Sequence, residues 1–197
     1  MPRMGVTARN PGKVKGTLLL ARMRYLHSRG PQSADRVLRR MTEGDRAVLE
    51  ASLLPSSWYP ADLLLRLEMT IAAVLSQGDR LRMFVEMGRF TADTNLGPSG
   101  LQRPYVREGD PHFLLRNLPR LYGSQHTVGT RTYEPAGARA AVVRTVEAED
   151  VSSEDCLTAV GWLARAIEMS GGRSPRVLET QCRARGGPCC EYRCEWD

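Results

Sequence analysis

The side chains with the greatest capacity for chemistry gather near one end of the chain. All five cysteines lie between Cys156 and Cys194. Four groups there follow a ligand pattern: Cys156, then Glu179-x-x-Cys182, then Cys190. Three thiolates and one carboxylate are the donor set of a four-coordinate zinc site, and four protein ligands leave no open position, so such a zinc is structural. Buried free thiols and a Cys182–Cys190 disulfide are the alternatives. Cys182 and Cys190 are expected to face each other across a hairpin turning at Gly186, where paired Cβ atoms stand about 4.5–5.5 Å apart. Glu179 is three residues from Cys182 and points the other way on a regular strand, so a bulge or turn is needed to bring both inward. Cys156 falls at a helix start, where the dipole favours a thiolate. Cys194 shares the face of Cys190 and is the substitute ligand if Glu179 is not used. Cys189 points to the opposite face.

Other chemistry is sparse. His27, His112 and His126 are isolated, with no His-x-x-x-His or Cys-His pair, and read as surface or satisfied core residues. There is no G-x-S-x-G elbow and no glycine loop in a strand–turn–helix setting. Glu147, Glu149, Asp150, Glu154 and Asp155 form an acidic patch that reads as capping and dipole complement for the helix after it. No acid–base constellation emerges, which argues against an enzyme.

The elements that must position these groups follow from periodicity. Residues 1–13 carry Pro2, Gly5, Pro11 and Gly12 and read as a flexible arm. Apolar residues at spacings of three and four predict helices over 14–28, 34–41, 42–51, 61–76 and 79–95. Asp110-Pro111 opens another, ending near Tyr122. Pro55–Pro60 reads as an extended link. The pattern then changes to Val/Thr/Tyr-rich runs at 127–134 and 139–148, a helix over 153–170, and a second hairpin over 176–184 and 189–196. Helices followed by a β-β-α-β-β C-terminal half predict an α+β fold, with N-terminal helices packed on a small antiparallel sheet.

The composition is that of a globular domain, 42% apolar and 25% charged, ordinary values. No apolar run is long enough to span a bilayer, and no secretory signal is apparent, so the expected location is cytoplasmic. Cysteines in a reducing compartment argue against disulfides. The net charge is +6, with arginine supplying 26 of the 28 basic residues. These arginines, Arg22, Arg24 and Arg29 among them, are dispersed along the chain and read as solvated surface. No nucleic-acid binding is expected.

The cysteine spacing, together with Leu53–Pro60, Gly88-Arg-Phe90, Pro111–Arg116 and Cys182–Gly187, resembles a myxobacterial-type paralogous family built on the 4-vinyl reductase-like domain, the small-molecule-binding module of phenol-sensor regulators. The resemblance runs from about Val14 to Trp196. It implies one 4-vinyl reductase-like domain over 14–197, bound Zn2+ and a homodimer. It also implies a buried pocket for a hydrophobic or aromatic small molecule, in a sensor acting in signalling through a protein partner. A protein-interaction or assembly module and a tetrapyrrole vinyl reductase are the alternative functions. The bulkiest apolar helix faces nominate Phe84, Met87, Phe90, Phe113, Leu114 and Tyr122 as the pocket lining, and His112 is the histidine that could join them.

Overall fold

The structure, a computed structural model, describes residues 12–148 and 152–197. Nearly all of the expected arm, and Glu149 and Asp150 of the acidic patch, lie outside them. The chain runs β1 (Lys13–Lys15), α1 (Gly16–Ser28), α2 (Pro31–Leu38), α3 (Glu43–Glu50), β2 (Trp58–Pro60), α4 (Ala61–Leu75), α5 (Arg80–Leu96), α6 (Pro111–Arg116), α7 (Leu118–Gln125), β3 (Thr130–Gly137), β4 (Ala140–Val146), α8 (Ser153–Met169), β5 (Arg176–Gln181) and β6 (Cys190–Glu195). This is an α+β fold with antiparallel sheets. No described helix is long and apolar enough to cross a membrane.

Local chemistry sets the boundaries. The Thr42, Asp79, Asp110 and Ser152 side chains accept from the backbone N–H three residues on, capping α3, α5, α6 and α8,. The helix expected from Asp110 to Tyr122 divides at Asn117, and Pro119 occupies the first turn of α7,. The expected link at Pro55–Pro60 ends in a strand: Lys13, Val14 and Lys15 pair with Pro60, Tyr59 and Trp58. That pairing displaces the predicted start of α1 to Gly16.

The large sheet has strand order β3-β4-β6-β5. One row of side chains on its inner face runs Tyr133–Val143–Tyr192–Glu179, and the next begins Arg131–Thr145–Cys190. Along β4, Ala141, Val143 and Thr145 are buried in alternation, the period-two pattern of a half-buried strand. Two apolar clusters form the core. The first draws on Val14 to Met87, the second on Ala92 to Trp196. Helices α5 and α8 join them. A Cβ at Gly88 would run into the Thr158 carbonyl, and one at Gly161 into the Val85 carbonyl. Both positions therefore need glycine for the two backbones to approach this closely.

Candidate functional site

Two features meet at the N-terminal half of α8. The first is the cysteine cluster. Cys156 lies in the first turn of α8, beneath the Ser152 cap. The register between β5 and β6 shifts between Glu179 and Gln181, supplying the irregularity that the strand pattern required. Beyond β5 the chain makes a 3-10 turn, and Gly186 closes it with φ +88°. Gly187 N–H donates to the Cys182 carbonyl at 2.9 Å. These turns bring one ligand atom each from Cys156, Glu179, Cys182 and Cys190 within 4.8 Å of one another. Cys182 and Cys190 are not strand partners as expected: Cys182 lies past the end of β5. All five cysteines are free thiols. Cys194 is packed in the second core cluster and stands outside the ligand group. Cys189 faces Gln181, its sulfur 3.8 Å from Oε1.

The cluster is electrostatically unequal. The Cys156 thiol donates to Cys190 Sγ at 3.5 Å, and Arg183 N–H donates to the same sulfur at 3.4 Å. The bond from Cys156 draws the Cys190 pKa down to about 6 and, with burial, drives that of Cys156 up. Glu179 places Oε2 2.5 Å from Arg185 Nη2. Its Oε1 is buried without a hydrogen-bond partner, as a free ligand atom would be.

The second feature is a cavity of about 170 Å³ between the helices and the sheet. Arg22, Glu68 and Thr91 wall it from α1, α4 and α5; Asp155, Thr158 and Trp162 from α8; Arg131, Thr145 and Tyr192 from the sheet; Tyr122, Gln125 and His126 from α7 and its end. Cys190 belongs to both the wall and the cluster. Of the residues nominated from the sequence, Tyr122 lines the cavity, and Phe84, Met87, Phe90, His112, Phe113 and Leu114 lie elsewhere. Phe84, Met87 and Leu114 fill the core, and Phe90 packs edge-on to Tyr25. Arg107 covers the Phe113 ring. His112 bonds Tyr133 at 2.7 Å and stacks edge-on to Trp196.

The polar wall is the part that sequence reasoning misses. Arg22, read as solvated, is 4% exposed. Its guanidinium reaches Glu68 Oε1 at 2.6 Å, the Met87 carbonyl at 2.7 Å and Thr91 Oγ1 at 2.8 Å. Glu68 is 1% exposed, and burial raises its pKa to about 7 against the opposing pull of Arg22. Asp155, read as dipole complement, is driven up by burial while Thr158 pulls it down. His126 lies flat on Tyr122, ring centroids 4.2 Å apart. Burial, then Arg131, lowers its pKa to about 3. A signal for the ion pair is present in the sequence: Glu68 stands at helical spacing from Leu64 and Ile71, and Arg22 from Leu19 and Leu26, so both charges lie on apolar stripes.

No protein-family model and no curated protein matches the chain. Solved structures do. An H-NOX protein from S. oneidensis in the Fe(II)NO ligation state superposes with TM-score 0.71 at 13% identity, over 93% of this chain and 99% of that one. The fold is that of the H-NOX domains. The unliganded Fe(II) H-NOX protein from K. algicida matches with TM-score 0.64 at 11% identity, over 93% and 96% of the two chains. A structure addressing heme distortion in the H-NOX family matches with TM-score 0.69 at 12% identity, over 93% and 95%. The expectation of a 4-vinyl reductase-like domain is corrected by these matches. So is the expectation of zinc, since the cofactor named for the matching H-NOX structures is heme; the four-residue cluster stands without an assigned ion.

The residues present do not fit heme. About 150 Å³ is room for benzene, and drug-sized ligands occupy roughly 300–1,000 Å³. A macrocycle of four pyrrole rings exceeds the 170 Å³ between these walls. Among the described lining residues the one histidine, His126, has its ring face against Tyr122. A buried ion pair, Arg22–Glu68, forms part of the wall that a macrocycle would have to displace.

Proposed function

We propose that the chain is a small-molecule-binding sensory domain that signals through a protein partner, with its ligand in the α1/α4/α5/α8–sheet cavity. The observation that carries this reading is the cavity itself, enclosed mostly by secondary-structure elements and furnished with convergent polar groups, the usual form of a ligand site. The H-NOX fold adds support, because the proteins of that fold are described by their ligation states and their activation. The role is binding rather than catalysis, in the cytoplasm, and a homodimer is the simplest assembly through which occupancy could be transmitted.

Cys156, Glu179, Cys182 and Cys190 form, in this reading, a metal-ion site tying the start of α8 to the last hairpin. Three thiols and an unpartnered carboxylate oxygen are its donors, a soft set that selects thiophilic ions. Native mass spectrometry of freshly purified protein, with elemental analysis, tests both parts. The expected result is a retained small molecule or a ligand-shifted melting temperature, one metal equivalent per chain, and a dimer mass. A cavity that takes up no compound from a broad thermal-shift library overturns the sensory reading.

A further inference from the structure

Two arginines stand on the cavity wall, and only one finds its counter-charge in the protein. Arg22 has Glu68 at 2.6 Å. Arg131 stands half-buried on the inner face of the sheet, in the row that continues through Thr145 and Cys190. Its Nε donates to Thr145 Oγ1 at 3.1 Å, and its Cζ sits 4.7 Å from the centre of the Tyr122 ring. Thr145 and Tyr122 both line the cavity, as Arg131 does, so the guanidinium is fixed between two wall groups. Its Nη1 and Nη2 donate to no described residue, and no described carboxylate stands within ion-pair distance of it. Neither nitrogen is among the buried polar atoms left without a partner, so both keep accessible surface.

A guanidinium held at Nε presents its far end as a planar fork of N–H groups, the geometry that meets a carboxylate bidentately. Water can occupy such a fork, but only an anion also answers its charge. Asp155 lines the same cavity, so each further negative charge on a ligand adds like-charge repulsion, and one charge is favoured over two. Leu118, Leu121, Val128 and Trp162 give the wall its apolar part. The cavity of about 170 Å³ leaves room for a body of roughly six carbons, since about 150 Å³ takes benzene. We propose that the cavity takes a monocarboxylate with a small apolar body, its carboxylate held by Nη1 and Nη2 of Arg131. This rests on the cavity being the ligand site. A short aliphatic chain and a single ring both satisfy the volume, and the carboxylate is what they share.

Calorimetric titration of the full chain with hexanoate, benzoate, hexanamide, benzamide and inorganic phosphate tests the proposal. Each amide keeps the shape of its acid and lacks the charge. At least one acid should bind at least tenfold more tightly than its amide, and the ratio of hexanoate to benzoate reports whether the body is a chain or a ring. Arg131→Gln should bring the acid down to the affinity of its amide and leave the amide unchanged, which also shows that the variant is folded. Arg131→Lys, which keeps the charge and loses the fork, should retain part of the preference. Ala159→Phe, which fills the cavity from α8, should abolish binding of acid and amide alike. Equal affinity for acid and amide, or an acid preference that Arg131→Gln leaves intact, overturns the proposal while the cavity remains a ligand site. Phosphate binding more tightly than either acid does the same. An acid that binds Ala159→Phe as well as the wild-type chain lies outside the cavity and overturns the proposal too. No binding by any of these compounds overturns the proposal alone; no uptake from the broad thermal-shift library as well overturns the sensory reading with it.

Discussion

His126 gives the clearest account of how one residue's surroundings set its behaviour. Its imidazole is stacked on Tyr122 and half-buried, so folding favours the neutral ring. A histidine whose folded pKa is depressed stabilises the fold above the unfolded value of about 6.5, and that contribution is lost as pH falls toward 3,. Between pH 7 and pH 5 the chain should lose roughly 2 kcal/mol from this residue. Urea denaturation at the two pH values should show the loss, and His126→Gln should flatten it; a variant with the same pH dependence as wild type would assign the titration elsewhere. The cysteines make a second contrast. Cys182→Ser should lower metal content and stability by several kcal/mol, as loss of a structural metal does. Cys189→Ser should leave both unchanged, because Cys189 faces Gln181 outside the ligand group. Elemental analysis with thermal melts separates the two; equal metal content in Cys182→Ser and wild type would remove this thiol from the site.

At the scale of elements, the seam between α5 and α8 is the most constrained contact. Gly161→Ala puts a methyl group into the Val85 carbonyl and Gly88→Ala puts one into that of Thr158. Neither obstacle is a side chain that can rotate away, so each variant should cost about 2–4 kcal/mol by forcing the helices apart. Chemical denaturation checks this, and Gly44→Ala, where nothing lies within reach of a Cβ, should be neutral or slightly stabilising. How legible such features are depends on how local their causes are. Caps at Thr42, Asp79 and Ser152 and the turn about Gly186 are written in neighbouring residues, and both hairpins and most helices are readable for that reason. The β1–β2 pair is only three residues long on each side and joins segments more than 40 residues apart, so it carries almost no local periodicity. The cysteine cluster is legible because soft ligands are rare. The cavity is not, because its wall is assembled from most of the elements and is partly polar. Composition ranks Phe84 and Met87 as lining, and packing makes them core instead.

For the molecule as a whole, Cys190 is where the two sites touch. It is a member of the cluster and forms part of the cavity wall. Any shift of β6 on ligand binding alters the cluster geometry, and coupling of this kind is reciprocal. With a metal loaded on the proposed site, its removal by a chelator should therefore change ligand affinity, and a saturating ligand should change the metal affinity by the same factor. Identical ligand titrations before and after metal removal would mean that the sites are independent. The division of the core has a different consequence, for the order in which the protein is made. The buried residues of the first apolar cluster run from Val14 to Met87, with Phe90 and Leu157 packed against them, and the second needs residues as late as Trp196. Synthesis proceeds from the N-terminus at about 5–20 residues per second, so the early helices can gather while the rest is still being translated. Until Cys190 and Tyr192 emerge, the pocket lacks a wall and the thiol group lacks a member. A nascent chain from which Cys190 and Tyr192 have not yet emerged therefore has neither a complete cavity nor a complete thiol cluster.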